Sequence, residues 1–232
     1  MSERTDGSMR YFEDGSEPQN VENRKVFFRK NGIESELVIV PDIVHGNHVI
    51  TIDAESKRFQ EKTDALVTSD KGIYLSVTVA DCLPILFYDP IRGNIGIAHM
   101  GWRGALSGVV TETMSALIKL GSDARNVSVA IGPCIQKCHF EILKENAPLY
   151  KEYAEFVYYE RAGSTQAVSG QGGKVYVDLP KIASKQLEQA GIPSENINAS
   201  DVCTFCEKEK WFSYRRDKPE KVQAMVAVIG MR

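Results

Sequence analysis

The sequence predicts a single α+β domain in which mixed β-sheets are flanked by helices. Apolar stretches of strand length outnumber helical ones, several neighbours are joined by hairpin-type turns, and no linker is long enough to cut the chain. The 232 residues suffice for one large domain. Hydrophobic residues at 43% and charged residues at 25% are ordinary for a soluble globular protein. A formal net charge of −3 argues against a nucleic-acid partner or an anionic-membrane surface. No apolar run approaches the ~20 residues needed to span a bilayer.

Taken in order, Met1–Asn20 is rich in polar residues and is expected to be a flexible N-terminal arm, with residues 21–232 forming the domain. Met1–Asp14 shows no apolar signal core, and with five cysteines the expected setting is reducing and cytoplasmic. Val21–Gly32 reads as a short helix stopped at Asn31-Gly32. Leu37–Val40 reads as a strand, and Ile43–Ile52 is strand-like on both sides of His45-Gly46-Asn47, where a bulge is expected. Ala54–Asp64 is polar and reads as a loop, and Ala65–Thr68 leads into a central pair of strands, Gly72–Val79 and Leu83–Tyr88. Asp89-Pro90 and Arg92-Gly93-Asn94 mark a turn into the strand Ile95–Ala98, with His99 at its end. Met100–Gly104 reads as a loop and Ala105–Leu120 as an amphipathic helix. Val127–Ile131 is a strand, Phe140–Val157 a helix interrupted at Pro148, and Gly163–Gly173 a Gly/Ser/Gln loop. Val175–Val177 is a short strand, Asp178 caps the helix Leu179–Ala190, Asn196–Thr204 returns to the sheet, and Val222–Ile229 is a final strand.

The chemistry-bearing stretch is Thr78–Phe87, which sets Asp81 and Cys82 between two apolar runs. His45, Cys82 and His99 each stand at a strand edge. Two imidazoles and a thiolate suit zinc and leave one coordination position for water or substrate, although the spacings are long, and a small core cysteine with two satisfied histidines is the simpler reading of the pattern alone. The glycine-containing loop before Ala105, with Arg103 beside it, reads as an anion seat. His48 lies on the opposite strand face from His45 and outside the site. Cys203-x-x-Cys206 is half of a zinc knuckle or a redox pair, but no second such motif exists, and Cys134, Cys138 and His139 are irregularly spaced, so a structural role is favoured for both groups. Tyr214–Asp217 is a solvated charge run or, with Trp211 and Phe212 ahead of it, a pocket rim.

Val44–Asn47, Thr78–Pro84, Ala98–Gly104, Ile131–Pro133, Cys203-Thr204 and Phe212–Asp217 together resemble the YfiH family, the laccase-domain or "multicopper polyphenol oxidase" family of older usage. The resemblance runs in order from Asn23-Arg24 to the C-terminus. It implies a YfiH-like fold and a zinc ion on His45, Cys82 and His99. It also implies purine nucleoside phosphorylase activity on adenosine, inosine, guanosine and methylthioadenosine with phosphate, together with adenosine deamination. Under that reading Cys82, Asp81 and Arg103 are catalytic. Asp81 relays a proton or steadies a ligand, and Arg103, Gly104, Tyr214 and Arg215 hold phosphate or nucleoside. Relatives carry a longer N-terminal segment with a Thr-Arg-x-Gly-Gly-type loop, whereas Met1–Glu22 alone precedes Asn23 here, and Ile43 stands where relatives often have glutamine.

Two other enzyme classes compete. Copper-dependent polyphenol oxidation needs a mononuclear and a trinuclear copper site, yet the chain has four histidines and no His-x-His pair, so copper is the less favoured metal. A cysteine-type hydrolase or amidase acting on cell-wall precursors would use Cys82 as nucleophile and His99 as base. A zinc-stabilised binding protein without catalysis is the third reading.

Overall fold

Residues in the middle of the sheet are apolar on both faces, and this sets the layering. A computed structural model describes residues 1–11, 17–56, 58–60, 62–160 and 173–231. The strands are β1 (Val38–Pro41), β2 (Val49–Thr51), β3 (Phe59–Gln60), β4 (Ala65–Thr68), β5 (Tyr74–Val79), β6 (Leu83–Asp89), β7 (Asn94–Met100), β8 (Ser128–Ile131), β9 (Glu141–Ile142), β10 (Val157–Tyr159), β11 (Val175–Val177), β12 (Ile197–Ala199) and β13 (Met225–Gly230). The helices are α1 (Pro18–Lys30), α2 (Trp102–Ser107), α3 (Val109–Lys119), α4 (Leu179–Gln189) and the single turn α5 (Tyr214–Asp217). A six-stranded mixed sheet has the order β12-β8-β6-β7-β4-β2, a four-stranded mixed sheet β13-β5-β1-β3, and a small sheet β10-β11-β9.

Strand alternation divides the core between the two faces of the larger sheet. Ala65, Val67, Ile85, Phe87 and Ala98 pack with Met114 and Leu117 of α3 and with Ile182 and Leu187 of α4. Leu66, Ile95 and Ile97 pack on the other side against Leu75 and Val77 of the smaller sheet. Because both faces of β4 and β7 are covered, every residue in those two strands is buried. Helix α1 lies outside the smaller sheet, where Phe27 and Phe28 meet Tyr74 and Val226.

The mixed α+β architecture agrees with the sequence expectation, and its departures from that reading have local causes. Strands β5 and β6 are not partners: β5 pairs with β13 and β1, and β6 pairs with β7 and β8. The chain therefore passes from one sheet to the other at Ala80–Cys82. Asp81 makes that turn at φ 91, outside the usual range for a side-chain-bearing residue. The connection from β1 to β2 also changes sheet. His45, at φ 63, stands in that turn and not in a bulged strand. Ala54–Asp64, read as a loop, contributes β3, which extends the smaller sheet beside β1. The helix expected from Ala105 starts at Trp102 and is broken at Gly108, whose φ of 81 restarts it as α3. Phe140–Val157 holds β9 and then a 3₁₀ segment, Lys144–Phe156, in which Pro148 removes a donor and Tyr150 and Tyr153 leave helical geometry. Asp178 caps α4 as expected, accepting from the Lys181 N–H. The loop expected at Gly163–Gly173 lies, except for Gly173, outside the described residues.

Residues 1–11 depart furthest from expectation, because they pack where a loose arm was anticipated. Ser2 and Met9 are fully buried, and their N–H groups donate to the Val226 and Ala224 carbonyls. Asn23 and Arg24 on α1 donate to the Ser8 and Met9 carbonyls at 3.1 and 2.8 Å, which fixes the backbone immediately before Arg10. Met9→Ala should therefore destabilise the protein by about 2–5 kcal/mol, the range for a buried methionine. Urea denaturation checks this, and a change within the ~0.5 kcal/mol typical of surface sites would contradict the packing.

Candidate metal centre and active site

The two sheet-crossing turns and the end of β7 meet at one place. His45 comes from the first turn and Cys82 from the second, directly after Asp81. His99 is the penultimate residue of β7 and pairs with Pro84. The donor atoms of these three residues lie within 4.8 Å of one another. The two imidazole rings meet edge to face, with centroids 4.8 Å apart. Gly101 closes over them: an added Cβ would sit 3.1 Å from the His45 ring and 3.2 Å from the Cys82 sulfur, so any side chain there would crowd both.

Asp64 organises the group. Its carboxylate accepts from the His45 and Gly46 N–H groups at 2.8 and 2.7 Å and meets His99 Nδ1 at 2.9 Å. It thereby holds the unusual His45 backbone and leaves His99 Nε2 as the available ligand atom. The His99 N–H also donates to the Asp64 carbonyl. Sequence reading missed Asp64 by assigning it to a polar loop. The available signal was a carboxylate directly ahead of the apolar run Ala65–Val67.

The electrostatics are those of a thiolate–imidazolium pair. Burial opposes the Cys82 thiolate, but the His99 charge and hydrogen bonds from His45 and His99 outweigh it and bring the thiol down to about 6. Burial likewise opposes His99 protonation, and Cys82 and Asp64 overcome it, raising the imidazole to about 9. Burial also opposes the Asp64 charge, yet hydrogen bonding to His99 and Gly46 holds this carboxyl below its usual range.

Asp81 has another occupation. Its carboxylate accepts from the Thr204 and Ser213 hydroxyls at 2.7 and 3.0 Å and from the Arg215 N–H at 2.7 Å. These bonds tether the C-terminal segment to the crossing turn and hold Asp81 at its positive φ. The ligand-steadying contact anticipated for Asp81 is made by Asp64. Gly104 is buried inside α2, where a Cβ would approach the Gly46 carbonyl at 3.1 Å, so its observed part is close packing. His48 is exposed, beside the Lys62 carbonyl, and belongs to no ligand group.

A cavity of about 420 Å³ opens on the His45–Cys82–His99 group. Arg10, Arg103 and Arg215 bring three guanidinium groups to its lining, and Trp102, Phe140 and Tyr214 bring three aromatic rings. Ile43, the residue that differs from the usual glutamine, also lines it. Arg215 is fixed by donating to the Glu141 carbonyl at 2.8 Å and by lying over the Phe140 ring. Arg103 lies over Trp102, with its guanidinium 4.3 Å from the ring centroid. Arg10 escaped the sequence reading because residues 1–20 were treated as an arm. A second cleft of about 440 Å³ shares Trp102, Phe140 and Arg215 and continues the groove past Ile142 and Tyr150.

An α+β scaffold of two larger mixed sheets and one small sheet, with a His/Cys/His cluster beneath a cationic, aromatic cavity, defines a class of enzyme-like domains with a candidate metal centre at that cavity. The chain belongs to the YfiH, or laccase-domain, family: residues 9–232 match the family described as multi-copper polyphenol oxidoreductase laccase. It is 33% identical to the *Escherichia coli* purine nucleoside phosphorylase YfiH over 205 residues, 88% of this chain and 79% of that protein. It is 33% identical to mouse purine nucleoside phosphorylase LACC1 over 176 residues, 74% of this chain but 39% of that longer protein. It is 30% identical to adenosine deaminase RL5, from an unknown prokaryotic organism, across 80% of this chain and 72% of that one. Among solved structures, YlmD of *Geobacillus stearothermophilus* superposes with a TM-score of 0.84 at 26% identity, covering 97% of this chain and 84% of that one.

Two outcomes follow from the geometry. In metal-free protein, Cys82 should be carbamidomethylated by iodoacetamide at neutral pH, and the rate should fall as pH drops through about 6, where the thiolate is lost. Peptide mapping across pH checks this, and a midpoint near the ordinary thiol value would contradict the ion pair. Gly101→Ala should leave the far-UV circular dichroism unchanged and lower metal affinity by about 10–100-fold, the scale of a disturbed ligand shell. Competition with a chromophoric chelator measures the change.

Proposed function

We propose that the protein is a zinc-dependent purine nucleoside phosphorylase acting on adenosine, inosine, guanosine and methylthioadenosine, with adenosine deamination as a second activity. The observation that carries this reading is the convergence of His45, Cys82 and His99 at a cavity that also receives Arg10, Arg103 and Arg215. Relatives named as purine nucleoside phosphorylases support the same reaction class.

The donor set fits zinc, because two imidazoles and a thiolate match its ligand preference and Asp64 orients His99 as an outer carboxylate commonly does. Bound there, zinc would supply Lewis-acid polarisation of an oxygen ligand at neutral pH. In phosphorolysis a phosphate oxygen forms a bond to ribose C1′ while the C1′–N9 bond breaks and its electron pair leaves with the purine. The products are the free base and ribose 1-phosphate, or 5-methylthioribose 1-phosphate when methylthioadenosine is the substrate. Arg103, Arg215 and Arg10 neutralise the incoming dianion and bring it within reach of the sugar. Trp102, Phe140 and Tyr214 offer stacking faces to the purine. Asp81 acts by holding Arg215 and the Ser213 turn in position.

Deamination is favoured by a separate feature, the three-residue ligand set, which would leave a position for a water. In that reaction the water oxygen bonds to adenine C6 while the C6–N6 bond breaks, ammonia leaves and inosine forms. The relative named as an adenosine deaminase supports this second activity. Copper oxidase chemistry draws no support from the histidines: of the four, only His45 and His99 stand in this cluster. The hydrolase alternative would use the lowered Cys82 thiol as a nucleophile without metal.

Incubation of purified protein with adenosine, inosine, guanosine or methylthioadenosine, with and without phosphate, tests the proposal by chromatography. The expected result is phosphate-dependent release of the base and the matching pentose 1-phosphate (5-methylthioribose 1-phosphate from methylthioadenosine), abolished by chelation and restored by zinc. Cys82→Ala should lower turnover by at least about 100-fold, as loss of a ligand does. Arg103→Ala should raise KM for phosphate more than it lowers kcat. Turnover that survives metal removal but not thiol alkylation would replace this reading with the hydrolase.

A further inference from the structure

We propose that Cys138, His139, Cys203 and Cys206 form a second, structural metal site that takes a soft divalent cation of the zinc class in a closed tetrahedron. The four donor atoms lie within 4.8 Å of one another, and the group shares no residue with the first cluster. Sequence spacing does not reveal the set, since half comes from Cys138-His139 and half from the Cys203-x-x-Cys206 turn.

The geometry is specific. Zinc–sulfur bonds of ~2.3 Å and zinc–nitrogen bonds of ~2.05 Å in a regular tetrahedron give edges of about 3.8 Å between sulfurs and about 3.6 Å between sulfur and nitrogen. Cys138 Sγ lies 3.6 Å from Cys203 Sγ and 3.9 Å from Cys206 Sγ. His139 Nδ1 lies 3.2, 3.9 and 3.4 Å from the sulfurs of Cys138, Cys203 and Cys206. Five edges thus match a tetrahedron around one ion. A disulfide would need sulfurs about 2.05 Å apart, would pair only two of the three thiols, and would leave His139 without a purpose. All three cysteines are free.

The surroundings are built for the same end. A parallel bridge between Cys134 and Cys203 aligns the two segments, with the Thr204 N–H donating to the Cys134 carbonyl. The Gln136 N–H points to Cys203 Sγ at 3.5 Å, the backbone-to-sulfur contact that steadies a thiolate ligand. Phe205, between the two cysteines of the turn, stacks on the His139 ring at 4.0 Å and sets its plane. Four protein donors leave no open position, so this ion would brace the fold and take no part in turnover. What it braces is the cavity wall: Phe140 follows His139 directly, and Thr204 within the turn donates to Asp81.

Elemental analysis of the intact purified protein tests the proposal. The expected result is two zinc equivalents per chain, one of which survives in Cys82→Ala and is lost from a Cys138→Ser/Cys206→Ser double variant. A single equivalent that survives Cys82→Ala but not the double variant supports this site while removing the metal assignment at His45–Cys82–His99. A single equivalent lost from Cys82→Ala overturns this site. Because losing a structural ion can unfold the double variant, cadmium-substituted wild-type protein gives a second measurement. A cadmium NMR resonance in the range of three thiolates and one imidazole supports the site. Absence of such a resonance, or a disulfide among Cys138, Cys203 and Cys206 in protein purified anaerobically, overturns it.

Discussion

The turn at Asp81 is the constraint on which the rest of the molecule depends, because there the chain leaves the smaller sheet and enters the larger one. A side-chain-bearing residue at φ 91 is costly, and it persists only where the surroundings fix it. Here the carboxylate is buried and accepts three hydrogen bonds, all from residues more than a hundred positions later. One side chain thus stabilises the crossing, delivers Cys82 to the two imidazoles and anchors the segment that carries Tyr214 and Arg215. Replacing it would disturb the ligand and the pocket wall together, so loss of activity on such a replacement would not by itself signify proton transfer.

Asp64 plays the matching part for the other turn. Its two carboxylate oxygens satisfy consecutive backbone N–H groups at His45 and Gly46 while one of them also meets His99. The left-handed His45 backbone and the His99 tautomer are therefore set by a single anion. Gly101 allows the approach, and Gly104 allows α2 to lie against the Gly46 carbonyl. The convergence of three donors from distant parts of the chain to within 4.8 Å of one another is the product of these backbone contacts rather than of the donors themselves.

Much of this was legible in the sequence. Apolar runs of strand length, rich in β-branched and aromatic residues, located most of the strands, and the runs on either side of Asp81-Cys82 marked the turn that carries the thiol. His45, Cys82 and His99 were recognisable once the surrounding motifs were taken together. Three things were not legible, each for a physical reason. Sheet membership of β5 and β6 depends on long-range pairing, and adjacent strands joined by a short turn look like a hairpin whatever sheet they enter. The 3₁₀ path after β9 reflects packing around Pro148 more than periodicity. The N-terminal residues are polar, but their backbone groups are paired with β13 and with Asn23 and Arg24, which no composition measure detects.

The cavity lining draws Arg10 from the beginning of the chain and Tyr214 and Arg215 from near its end. During synthesis the three donor residues of the first cluster emerge from the ribosome well before that wall exists. The third guanidinium, that of Arg215, joins those of Arg10 and Arg103 only after more than a hundred further residues have been added beyond His99.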